Sequence, residues 1–142
     1  MRIPNSRLLR TALFGDAIFE TVCGIAAITG SNALATSTDW NSPELFVIAG
    51  VLLLAVALLL LWVLSRPQVN YSLSQILAML NLVFAVVGIL LLIAYWSALT
   101  DGARWIIVVI ALGVGIFGVL ESLGLQGLRS VSVDGDREFL QS

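Results

Sequence analysis

Four stretches of this chain are each about twenty residues long and almost wholly apolar, the length a helix needs to cross a hydrocarbon core roughly 30 Å thick. They run about Leu8–Thr29, Glu44–Leu64, Leu73–Leu99 and Ala103–Leu125. The fold class that follows is all-α: a polytopic membrane protein whose four transmembrane helices form an antiparallel bundle. Residues 1–129 make up the transmembrane domain and residues 130–142 a polar cytoplasmic tail, which reads as weakly ordered because it mixes Asp134, Asp136, Arg137 and Glu138 with Ser and Gly. Charge supports this division. Only 11% of residues are charged, against about 25% in a soluble domain, too few to wet the surface of a water-soluble fold.

Helix punctuation brackets the spans. Ser42-Pro43-Glu44 supplies a cap, a first-turn proline and a first-turn acid before span two. Arg66-Pro67 closes that span. Ser72-Leu73-Ser74-Gln75 has the spacing of a capping box opening span three, and Thr100-Asp101-Gly102 reads as a tight turn into span four. The segment Gly30–Pro43, rich in Gly, Ser, Thr and Asn, reads as the longest loop. Asp16 and Glu20 interrupt the first apolar run, so it is expected to be a retained span and not a cleaved signal.

Orientation follows from the arginines, the chain having no Lys. Arg2, Arg7, Arg10, Arg66, Arg129 and Arg137 fall on one side of an even-span topology and Arg104 alone on the other. The positive-inside rule makes the arginine-rich side cytoplasmic and places the chain in a bacterial inner membrane with both termini inside. Tyr95, Trp96 and Trp105 at one boundary and Trp62 at the other suit the headgroup belts.

Lipid gives helices no hydrophobic reason to associate, so small residues and interhelical hydrogen bonds must hold them together. Span one carries Ala12, Asp16, Glu20, Gly24 and Ala27 at helical spacing. Span three carries Ala78, Asn81, Ala85 and Gly88. Span four carries Ala111, Gly115, Gly118 and Ser122, with Glu121 alongside. Spans one, three and four are therefore expected to meet through these faces, and span two, with its Leu58–Leu61 run, to be the most lipid-facing. Gly113, Gly115 and Gly118 spell GxGxxG, but inside a membrane helix with no preceding strand the pattern signifies helix packing.

Asp16, Glu20, Asn81 and Glu121 form a candidate intramembrane polar cluster. An ionisable residue within a span costs about 2.5–3.5 kcal/mol on insertion scales, and such residues face the bundle interior and find partners. Asp16 and Glu20 lie one helical turn apart. At 1.5 Å per residue all four sit at similar depths, roughly 9–15 Å from the cytoplasmic boundary. Two like charges this close in a dry interior repel, so at least one carboxyl is expected to keep its proton, which makes a proton or cation site. The competing reading is structural: acids hydrogen-bonded across helices, Asp16 paired with Arg10 or Arg66, and Glu121 reaching water or Arg129. No catalytic, cofactor or metal site is expected. The chain has no His, its one cysteine, Cys23, reads as a packing residue, and no basic cluster invites nucleic acid.

Leu8-Leu9-Arg10-x-x-Leu13-Phe14, Gly24, Asn81-Leu82 and Glu121-x-x-Gly124-Leu125 together resemble an uncharacterised family of bacterial four-span integral membrane proteins. The resemblance covers most of the chain; it implies a four-helix membrane fold and no particular activity. Gly15-Asp16-Ala17-Ile18-Phe19-Glu20 is similar to the first helix of small multidrug transporters, in which an intramembrane Glu couples protons to cations. The other spans do not follow that family, so the likeness is a chemical analogy for Glu20 alone. Two functions are carried forward. The first is a non-enzymatic scaffold, accessory subunit or oligomer-forming bundle, partnered by the bilayer and by copies of itself or a larger membrane complex. The second is a small proton-coupled or cation transporter using the carboxylate cluster.

Overall fold

The computed structural model describes residues 4–40, 42–66 and 71–140, with side chains from residue 7 to residue 126 of that set. Five helices follow one another: α1 (Pro4–Thr29), α2 (Ser31–Thr38), α3 (Pro43–Ser65), α4 (Tyr71–Ala94) and α5 (Asp101–Leu140). Among the described residues there is no strand. Four segments, Arg7–Thr29, Pro43–Ser65, Tyr71–Ala94 and Asp101–Gln126, are long and apolar enough to cross a membrane. The chain is a multi-pass, all-α membrane bundle.

The helices do not all touch one another equally. α1 and α5 pack together at the centre, α3 packs on α1, and α4 packs on α5. Each of these pairs is antiparallel, and each depends on glycine. Between α1 and α3, Gly24 and Gly50 lie face to face; a Cβ added at Gly50 would sit 2.6 Å from the Gly24 carbonyl oxygen. Between α1 and α5, Phe117 rests on Gly15 and Phe19 on Gly113, a reciprocal exchange in which each ring occupies the space a side chain would fill. The two rings lie 5.9 Å apart and tilted by 46°, a favourable aromatic geometry. Between α4 and α5, Gly88 meets Ala111, Gly115 meets Ala85, and Gly118 meets Asn81 and Leu82. The GxGxxG glycines therefore serve packing on two sides of α5.

Span two departs from expectation. It is not simply lipid-facing: Gly50, Ala57, Leu60 and Val63 are buried along one face of α3. Within the leucine run, Leu60 is fully buried while Leu58 is 68% exposed. At the end of the bundle that carries both termini, Leu60 and Val63 join Leu9, Leu13, Ala17, Leu77, Ala78 and Leu125 in one apolar layer. The long loop is also corrected, since residues 31–38 form the short helix α2. It docks on α3 and α5 with Ser31, Ala35 and Thr38 buried. Asp39 ends it with φ 57°, the left-handed conformation that Asp tolerates better than most residues. The Ser37 carbonyl accepts a 2.7 Å bond from the Thr100 hydroxyl, which ties α2 to the α4–α5 connection.

Three boundary expectations shift as well. Ser72 lies inside the first turn of α4 and is not its cap. Ser42 occupies the α3 N-cap position but makes no side-chain cap bond. α5 continues as helix through Leu140, past the end of the apolar span at Gln126, where a weakly ordered tail was expected. At the far end, Thr100 caps α5 by accepting the Ala103 N–H at 3.2 Å.

The Gly24–Gly50 contact yields a direct test. Gly50→Leu forces α1 and α3 apart and should destabilise the bundle by about 3 kcal/mol or more, whereas Ala49→Leu, on the exposed neighbouring face, should cost under about 0.5 kcal/mol. Unfolding titrations in mixed micelles compare the two.

Candidate functional site: a buried carboxyl cluster

The register set by the glycines brings the polar residues together. Gly15 opposite Phe117 puts Asp16 near the middle of the α1–α5 seam, and Gly118 against Asn81 puts that amide at almost the same height. Asn81 Nδ2 donates to Asp16 Oδ2 at 2.7 Å, bridging α4 and α1, two helices that otherwise barely touch. Glu121 of α5 faces Asp16 and Asn81 at hydrogen-bonding range, yet neither of its oxygens is aligned in a formed bond. Glu20, one turn further along α1, is within electrostatic reach of Asp16 and Glu121. Cys23 lies on the far side of Glu20.

All four residues of the sequence cluster therefore converge, and all are buried: Glu121 is 0% exposed, Asp16 1%, Glu20 4% and Asn81 6%. Their pairing differs from the structural reading. Asp16 pairs with Asn81 and not with an arginine. Arg10 instead donates to the Arg66 carbonyl at the termini end of the bundle, and Arg66 lies over the Trp62 ring. Glu121 is fully buried, and Arg129 lies outside the described side chains. Among the described residues the one ion pair is Arg104–Asp101, at the opposite end.

Asp16 Oδ1, Glu20 Oε2 and both oxygens of Glu121 are buried with no hydrogen-bond partner in the protein. A buried polar atom left unmatched costs about 1–3 kcal/mol, and more when charged. A proton on Glu121 would let it donate to Asp16, which it faces, so a neutral carboxyl here suits interhelical bonding as well as proton exchange. No family model, curated protein or solved structure matches the chain, so the site rests on its own geometry. Among the described residues no three Cys, Asp or Glu side chains are grouped as a metal ion requires. The arrangement instead offers three carboxyls in a low-dielectric interior, one steadied by an amide donor and two open to a ligand.

Sequence reasoning missed a buried polar residue within the third span. Ser74 is 0% exposed and its Oγ has no partner. The stripe Ala78–Asn81–Ala85 continued one turn back lands on it.

The lack of partners generates opposite expectations for neighbouring residues. Asn81→Leu strips Asp16 of its donor and should lower stability by about 1–3 kcal/mol, whereas Glu121→Leu removes an unmatched carboxyl and should leave stability equal or raised by about 1 kcal/mol. Unfolding in mixed micelles measures both. A large loss on Glu121→Leu would mean that the carboxyl holds the bundle together.

Proposed function

We propose that this chain is a small proton-coupled membrane transporter whose coupling site is the Asp16–Glu20–Asn81–Glu121 cluster. The observation that carries the proposal is Glu121, fully buried with both oxygens unmatched and facing two further carboxyls. Such a group is at ease in a membrane interior only with a proton or cation on it, and the neighbouring acids make each binding event depend on the others. The proton is the ligand each carboxyl takes without further help. Burial argues against a basic side chain from a partner helix as the missing counter-charge, because the cluster lies inside the single chain.

The scaffold reading rests on small size, the lack of catalytic groups and several small-residue packing faces. Those faces are occupied within the chain: Gly24 by Gly50, Gly88 by Ala111, Gly115 by Ala85 and Gly118 by Asn81. The sequence offers no His-based catalytic constellation, which supports a non-enzymatic role. The arginine distribution supports a bacterial inner membrane with cytoplasmic termini. Arg10 and Arg66 meeting at the termini end, and Arg104 over Trp96 at the other, are consistent with it.

Reconstitution tests the proposal. Proteoliposomes with an internal pH indicator should acidify or alkalinise when a gradient of a transported cation is imposed, and Glu20→Gln or Glu121→Gln should reduce that response about 100-fold or to the level of empty liposomes. Equal responses from the wild type and both variants, with folding intact, would contradict the assignment.

A further inference from the structure

A buried proton site needs an entry, and the helix register marks one. Asn81 lies level with Gly118, Phe117 with Gly15, and Phe19, the neighbour of Glu20, with Gly113. At 1.5 Å per residue, Ser74 stands about 10 Å from Asn81 toward the termini end, Glu121 about 4–5 Å in that same direction, and Glu20 about 6 Å beyond Asp16 in the other. Read from the termini end, the order is Ser74, Glu121, the Asn81–Asp16 pair, then Glu20. The steps are about 6 Å and the file spans about 20 Å, roughly two-thirds of a 30 Å hydrocarbon core. Ser74, Glu121, Asp16 and Glu20 each hold a buried oxygen with no protein partner.

Ser74 decides the direction. On the termini side the cluster is covered by the apolar layer of Leu9, Leu13, Leu60, Val63, Leu77 and Leu125. At that level Ser74 is the buried polar side chain among the described residues. Other hydroxyls in these helices bond back to the preceding turn: Thr21 to Ala17, Thr38 to Leu34 and Ser122 to Gly118. Ser74 does not, so its hydroxyl remains available to a water molecule. Beyond Glu20 the file ends. Gly24 closes on Gly50, and Gly88 on Ala111. The next buried polar side chains, among the described residues, are Ser31 and Thr38 of α2.

Resting on the proton-site reading above, we propose that Ser74, Glu121, Asp16–Asn81 and Glu20 form a one-sided proton file, entered with transient water from the termini end past Ser74 and ending at Glu20. Each step makes and breaks O–H bonds alone: a hydronium held at Ser74 gives its proton to the Glu121 carboxylate and leaves as water. Ser74 is a positioning residue that holds this water.

Two measurements test the file. In a Cys23→Ser background, Ser74→Cys and Ala111→Cys are exposed to a small cationic methanethiosulfonate added to either face of oriented vesicles. Ser74→Cys should react from the termini face at least about tenfold faster than from the other, while Ala111→Cys stays unreactive from both. An unreactive Ser74→Cys, or an Ala111→Cys that reacts from the opposite face, would overturn the one-sided route. The second measurement is the rate of proton uptake after a pH jump on the termini face. Ser74→Leu should slow it at least about tenfold and Ser74→Thr should leave it near the wild-type rate, because only the leucine displaces the water. Undiminished uptake in Ser74→Leu would overturn the entry route alone. A wild-type protein that takes up no protons would overturn the site itself.

Discussion

Lipid tails are as apolar as leucine, so a bilayer gives helices no reason to bury their apolar faces against each other. This constraint shapes the whole bundle. Contact has to come from close backbone approach and from polar bonds that lipid cannot replace. The protein uses glycine for the first, with Gly24 on Gly50 and the reciprocal Phe19–Gly113 and Phe117–Gly15 contacts. It uses a single amide–carboxyl bond, Asn81 to Asp16, to draw α4 toward α1. The interior that results is too dry to solvate a carboxylate, yet three carboxyls are placed there.

The contrast between the two ends of the bundle gives this placement its meaning. At the end formed by α2 and the α4–α5 connection, polar groups are matched: Thr100 both caps α5 and donates to Ser37, while Arg104 bonds Asp101 and the Trp96 carbonyl. Hydroxyls along the spans bond back to their own helices. The unmatched buried atoms among the described residues belong to Asp16, Glu20, Glu121 and Ser74. Unmet groups gathered at one place in a fold that satisfies its polar groups elsewhere are what motivates the proton-site proposal.

The spans and the cluster were legible because their signals are strong over a helical period. Apolar runs of twenty residues have one common meaning, and acids spaced at i+4 on a small-residue stripe must face inward. Other features were hidden for physical reasons. Helix α2 is composed of residues that suit a loop, and its docking on α3 and α5 stabilises it where intrinsic propensity would not. The packing face of α3 rests on Gly50 and Ala57, two small residues diluted by leucines that look alike whether they meet lipid or protein. Ser74 stands inside the Ser72–Gln75 capping-box pattern, a local signal that carries no information about its burial. The polar composition beyond residue 129 suggested weak order, but without a proline the helix of α5 runs on to Leu140.

The proposed site works only if the buried carboxyls exchange protons while the protein stays folded. Infrared difference spectroscopy in nanodiscs, stepping the pH across the range in which the helical signal is constant, observes it directly. The account requires a carboxylic C=O band that grows and fades reversibly with pH and is lost in the Asp16→Asn, Glu20→Gln, Glu121→Gln triple variant. A spectrum that does not change over that range, or one that changes identically in the triple variant, would contradict it.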